Sequence, residues 1–199
     1  MATTTTSPAA DFPRSLLIDR IKLVITHPTT CWQTIAAESR PPRELFTSLL
    51  LPLLALGTVA WFLGLRFFST PALLESTALL LKESLFLFLL SCAMPFISAF
   101  VLKQLAPFFQ ANAEYSKGFS WAVHSSLPML VAKILGILPT VGVVASFVAA
   151  FWSLYTSYAG LPSMAQVPKS QHIALFICFL VAMVVVAVLV AITLRLLLP

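Results

Sequence analysis

Three histidines, three cysteines and one lysine inside an otherwise uncharged run are the side chains of this 199-residue sequence whose types could do chemistry. His27, His124 and His172 are the only histidines, and no two are close enough to form a metal-ligand motif. His27 precedes Pro28, and His172 stands at the mouth of an apolar run. His124 lies in the inner half of another apolar run. An imidazole at membrane depth invites either a functional role or a hydrogen-bonded packing role. Cys31, Cys92 and Cys178 are far apart and without CxxC spacing, which argues against a disulfide framework. Cys92 and Cys178 read as small apolar fillers. Phosphate-binding GxxxxGK[ST], GxGxxG, HExxH and GxSxG motifs are absent. The sequence therefore points away from hydrolysis, redox and phosphoryl transfer. No catalytic residue, cofactor or metal ligand is expected, and the chain reads as a non-enzyme.

Lys133 is the only charge between Lys117 and Lys169. A lysine at mid-span costs about 2.5–3.5 kcal/mol on insertion scales. It stands five residues before Leu138, where its run ends, so its ammonium can snorkel outward. Glu83 and Glu75 are expected on the same side, and a Glu83–Lys133 pair would lower the cost. The alternatives are a structural pair and an ion or proton path.

These side chains must be held by something other than a soluble fold. The sequence is 59% hydrophobic and only 10% charged, against about 45–50% and about 25% in soluble domains. A water-facing surface needs more charge than that, so lipid is the expected solvent. The net charge of +5 sits at the ends of apolar runs, where it reads as membrane topology and not as a nucleic-acid surface.

The opening MATTTTSPAADFPRS has no basic stretch followed by an apolar core, so no cleavable signal peptide is expected. Residues 1–10 read as disordered. Residues 11–44 read as cytosolic amphipathic helices and a hinge. Leu17, Ile21, Val24 and Ile25 share one helical face against Asp19 and Lys22, with Asp11 as N-cap. A second short helix follows, with Thr30 and Gln33 in capping-box spacing. Five apolar segments fill 45–199, at about 45–65, 84–106, 118–138, 140–160 and 173–194. Gly136, Pro139 and Gly142 mark a tight turn between the third and fourth. Thr70-Pro71 is a good helix start, leaving open whether 71–82 continues the second span or is a separate interfacial helix. Pro52, Pro95 and Pro128 should bend their spans locally.

Arg14, Arg20, Lys22, Arg40, Arg43, Lys103, Lys117 and Lys169 fall on one side, against Arg66, Lys82, Lys133 and Arg195 at or near the other. The N-terminus is therefore expected in the cytoplasm and the C-terminus outside. In the fourth span Gly142, Ser146 and Ala150 recur at every fourth position, beside Ala145 and Ala149. Such spacing lets helix backbones approach closely. Trp121, Trp152, Tyr155 and Tyr158 read as an aromatic belt, with a binding pocket as the alternative. The fold class is all-α: a polytopic integral membrane bundle of five transmembrane helices preceded by short cytosolic amphipathic helices.

Two motifs carry a resemblance. The run WSLYTSYAGLPSMAQVPKSQ contains Tyr155, Tyr158, Gly160, Leu161, Pro162, Val167 and Pro168. It resembles the passage between the fourth and fifth spans in the bacterial branch of the Yip family of Ypt/Rab-interacting membrane proteins. HPTTCWQTIAAES is similar to that family's Pro-x-x-x-Trp-x-x-Ile-x-x-Glu opening, carried by Pro28, Trp32, Ile35 and Glu38. The resemblance implies a multi-pass protein of the bacterial cytoplasmic (inner) membrane, with a periplasmic C-terminus and no catalytic residues. The expected function is membrane organisation or the docking of a partner as an accessory subunit. Its partners would be membrane lipids and a protein or second copy within the membrane, with no nucleic acid. A transporter of ions, small molecules or lipid is the alternative.

Overall fold

In hydrocarbon an unpaired backbone N–H or C=O has no water to turn to, so a long uncharged run must close its hydrogen bonds within itself as a helix. The computed structural model of the chain describes residues 14–38, 40–68 and 76–197, and all seven principal elements are helices. Two are short: α1 (Arg14–Thr26) and α2 (Cys31–Ala37). Five are long: α3 (Pro42–Phe68), α4 (Thr77–Phe109), α5 (Tyr115–Ile137), α6 (Pro139–Ala165) and α7 (His172–Leu197). Each of these five is long and apolar enough to cross a membrane. The fold is an all-α, polytopic helical bundle.

α5 is the central helix. It packs against α3, α4, α6 and α1, and more of its length is buried than that of any other span. Its sequence fits the position, because small and polar residues (Gly118, Ser120, Ser125, Ala132) alternate with Phe119, Trp121 and Leu127, all of them buried. α6 and α7 turn most of their surface outward, with Val143, Val144, Phe147, Val181, Val184 and Leu189 exposed.

Proline and glycine act locally as covalent geometry requires. Pro52 has no N–H to offer the carbonyl of Ser48, and the turn before it, Phe46–Leu50, widens into a π-helical turn. The hydroxyls of Thr47 and Ser48 donate to the carbonyls of Arg43 and Glu44 there, at 3.0 and 2.6 Å. α4 and α5 continue as helix through Pro95 and Pro128. The α5–α6 hairpin turns at Leu138, which is extended (φ −107°, ψ 102°), with Pro139 in the first position of α6. Three glycines let the backbones meet there. A Cβ on Gly64 of α3 would stand 2.2 Å from the carbonyl oxygen of Gly136, and one on Gly142 would stand 2.5 Å from the Cα of Gly136.

Several local expectations are revised. The Thr30–Gln33 capping box does not form. Thr30 is itself in helical conformation, and its hydroxyl turns back to donate to the carbonyl of His27 at 3.4 Å. On the question left open at 71–82, residues 77–82 continue the second span: among the described residues α4 begins at Thr77, capped by Ser76, whose hydroxyl oxygen accepts from the backbone N–H of Leu79 at 3.0 Å. Asp11, Thr70, Pro71 and Glu75, together with residues 1–10, lie outside the described residues. Trp121 belongs to the core and not to an aromatic belt. It is 1% exposed, and its indole N–H donates to the carbonyl of Ser157 at 2.9 Å.

Candidate functional sites on two faces of the central helix

Nine residues separate His124 from Lys133 on α5. At about 100° and 1.5 Å per residue they lie half a turn apart and about 14 Å along the axis. Two different polar sites result.

On the first face, α1 packs against α5 and α2 against α6, and the short turn between them makes the two a helical hairpin laid on the bundle. The apolar stripe of α1 turns inward, with Val24 wholly buried and Ile21 packed against the core, while Asp19 and Lys22 face out. A charge-assisted lattice closes the hairpin. Arg20 Nη2 reaches both carboxylate oxygens of Glu38, at 2.6 and 2.5 Å, and Arg40 Nε stands 3.1 Å from Oε2 of the same carboxylate. The other arm of Arg20, Nη1, meets His124 Nε2 at 3.3 Å. His124 Nδ1 lies 2.7 Å from the carbonyl of Ser120, and a carbonyl can only accept. The proton therefore sits on Nδ1, and Nε2 offers its lone pair to Arg20. Both ring nitrogens are engaged, and the ring is 1% exposed.

Trp32 seals this face. Its ring is buried and meets His124 edge-on at 6.5 Å between centroids. Gly160 faces it, and a Cβ there would come within 2.5 Å of Trp32 Cε2 and 2.8 Å of Trp121 Cδ1. The two sequence motifs thus meet in space: Trp32 of the first packs on Gly160 of the second. Pro28 is buried in the turn between α1 and α2. Tyr158 stacks on His172 with centroids 4.1 Å apart, and the His172 ring nitrogen bonds the carbonyl of Tyr158 at 2.9 Å. Pro162 and Tyr155 are exposed, and Pro168 is half-buried before α7. Cys31 is buried beside Trp32, and burial pushes its thiol up to about 11. The Trp32 indole N–H is buried without a hydrogen-bond partner.

On the second face Lys133 does not meet Glu83. Its stem lies across Gly57 of α3, where a Cβ would stand 3.2–3.4 Å from Cβ, Cγ and Cδ of the lysine. Its ammonium donates to Thr58 Oγ1 at 3.2 Å. Glu83 turns instead to α7, where its carboxylate is 3.7 Å from Arg195 at an exposed position. The physical reason is azimuth. Depth along the membrane was readable from charge position, but the direction each side chain takes around its helix was not. Among the described residues Lys133 makes no ion pair.

The lysine lines a cavity of about 280 Å³ with Thr58, Trp61, Ser84, Ser91, Met129 and Ser146. A second cavity of about 420 Å³ continues along α5 past Met129 to Ser125, Trp121 and, across the gap, Ser153. Met129 is the residue lining both, so the two cavities adjoin at its side chain and make a two-part cleft along α5 between α4 and α6, with α3 walling the first part and α7 the second. The hydroxyls of Ser84, Ser125 and Ser153 are buried there without a hydrogen-bond partner. His124 lines neither cavity.

The small residues of α6 divide between these surroundings. Gly142 packs on Gly136. Ser146 and Ala150 line the cleft. Ala149 is buried, and with Ala145 it borders a separate apolar groove of about 510 Å³ shared with Ile25. Sequence reasoning missed Arg20, Arg40 and Thr58. Of their partners, His124 had stood out as an imidazole in an apolar run and Glu38 as the last position of the Trp32 motif.

Among the described residues no three His, Cys, Asp or Glu side chains gather as a metal site would require. No curated protein and no solved structure matches the chain. Residues 22–192, from within α1 to within α7, match the Yip1 domain. With five apolar helices and that match over most of its length, the chain is a multi-pass membrane protein and belongs to the Yip1-domain family.

Proposed function

We propose that the protein is a non-enzymatic membrane organiser that docks a protein partner, or a second copy of itself, through its α1–α2 hairpin. One observation carries this reading. The hairpin is clamped to the bundle by Arg20, Glu38, Arg40 and His124, and locked by Trp32 on Gly160. The side chains suited to proton chemistry are thereby consumed in holding a platform. The outer surface of that platform mixes Ile18 and Leu23 with Asp19 and Lys22, all exposed. Apolar and charged groups mixed in this way suit a protein contact at a membrane boundary. The basic residues of the N-terminal region support a cytoplasmic position for it. The resemblance to the bacterial branch supports the inner membrane as its place.

The test is photocrosslinking from positions 22 and 23 of the protein in its native membrane. A discrete protein adduct is expected, and Gly160→Leu, which unseats Trp32, should abolish it. The transport reading draws on the cleft that reaches Lys133. Reconstituted vesicles showing a flux that Lys133→Met abolishes, with no adduct from the hairpin, would replace the docking reading with it.

A further inference from the structure

The cleft on the second face of α5 differs from an ordinary packing defect in three respects. It holds a cation that lacks a carboxylate among the described residues. It also holds buried hydroxyls with nothing to bond, of which Ser84, only 5% exposed, sits in the same cavity as the lysine. And it is partly open to the outside, since two of its lining residues, Leu87 and Met129, are 40% and 37% exposed. A lysine ammonium has three N–H donors, and Thr58 takes one. A buried polar group left unpaired is destabilising, so this arrangement favours an occupant that brings acceptors and negative charge.

We propose that the cleft binds one anionic lipid, with its headgroup at Lys133 and Thr58 and one acyl chain laid along α5 past Met129 towards Trp121. The geometry matches the two parts of such a molecule. Lys133 stands four residues before the end of α5 at Ile137, which places a headgroup near the membrane boundary. From Lys133 to Trp121 the cleft follows twelve residues of α5, about 18 Å at 1.5 Å per residue. Its walls there are Met94, Pro95, Met129 and Phe179. Ser125 and Ser153, being small, give it width. Gly57 has a part as well, since the lysine stem passes over it at van der Waals distance and a larger residue would push the ammonium out of the cleft. Its charged end lies on the face of α5 opposite the hairpin clamp, and only Trp121 at the far end touches both regions.

The experiment uses the full chain, delipidated in detergent and titrated with dioleoyl phosphatidylglycerol or dioleoyl phosphatidylcholine, with bound lipid counted by native mass spectrometry. One phosphatidylglycerol per chain should bind in preference to phosphatidylcholine. Lys133→Met should weaken it about tenfold, the scale of one lost charge contact, while Lys133→Arg keeps it. Arg66→Met, which removes a charge at the same end of the bundle but outside the cleft, should leave it unchanged. Met129→Trp should obstruct the chain-binding half with the charge intact. Thermal unfolding of each variant without lipid reports whether it is folded. Competition by oleate but not by inorganic phosphate fits an anion that must carry a chain. Equal binding of the two phospholipids, competition by phosphate alone, or a polypeptide crosslinked to position 129 in place of lipid would each overturn the proposal.

Discussion

The two faces of α5 handle buried polarity in opposite ways. On the His124 face each charged or basic group meets a complementary one: Arg20 bridges Glu38 and His124, Arg40 joins the same carboxylate, and the imidazole is tied at both nitrogens. On the Lys133 face the cation has a single hydroxyl partner, and three serine hydroxyls around the cleft have none. A network whose charged members are paired specifies one arrangement of the elements that share it, even with the Trp32 indole N–H buried beside it without a partner. On the two proposals made above, the first face is an attachment and the second a receptor.

The largest separation between the two should appear on removing charge. Glu38→Ala leaves Arg20, whose side chain is only 10% exposed, with His124 as its remaining partner in the clamp, and losing the charged half of this part-buried pair costs about 2–3 kcal/mol. Lys133→Met removes an expensive charge and keeps an apolar stem, so stability should stay within about 1 kcal/mol of the parent or rise. Thermal unfolding of both in the same detergent decides the matter. Equal losses would mean that Lys133 is as structural as Glu38.

Steric rather than electrostatic disruption comes next. Gly160→Leu must displace two indole rings, and overpacking of this kind costs about 1–3 kcal/mol. Limited proteolysis should then cut between α2 and α3, where the parent is protected. If the variant keeps both its stability and its protection, Trp32 does not anchor the hairpin.

Cys31 sharpens the same point chemically. It is 1% exposed, and its thiol is raised from 9.0 to about 11, so it should resist maleimide at neutral pH until Gly160→Leu releases the hairpin. The sign for stability follows. The unfolded thiol ionises near 9.0 while the folded one holds its proton, so stability is full below pH 9 and declines as pH rises towards about 11. Labelling of the parent as fast as of the variant would show that the hairpin opens freely.

The smallest effect is expected from Glu83→Gln. Its partner Arg195 is 71% exposed, and exposed pairs contribute about 0.5 kcal/mol or less. A loss comparable to that of Glu38→Ala would show that Glu83 serves Lys133 after all.

Much of the fold was legible in the sequence because lipid imposes a coarse rule: an uncharged run of about 20 residues must be a helix. The α5–α6 turn was readable because Gly136, Pro139 and Gly142 interrupt a run too long for one crossing. The sites were less legible. Lys133 stood out as the lone charge in its run, but whether it faced Glu83 or Thr58 depended on the rotation of α4 and α3 about their axes, which hydropathy does not encode. Arg20 and His124 are 104 positions apart, and no local pattern announces so distant a bond. The Trp32 and Gly160 motifs were each visible alone. That a glycine was needed because an indole lies on it became apparent only in three dimensions.

The distance along the chain between Trp32 and Gly160 has a consequence for how the protein is made. The hairpin is complete early, yet the groove that receives Trp32 does not exist until residues about 130 positions later have been added. At about 5–20 residues per second, Arg20, Glu38 and Trp32 wait roughly 6–25 s beside an unfinished bundle. During that interval the indole and the ion pair are available to whatever tends nascent membrane chains, and the final seating of the hairpin marks the moment at which four of the five spans are in place.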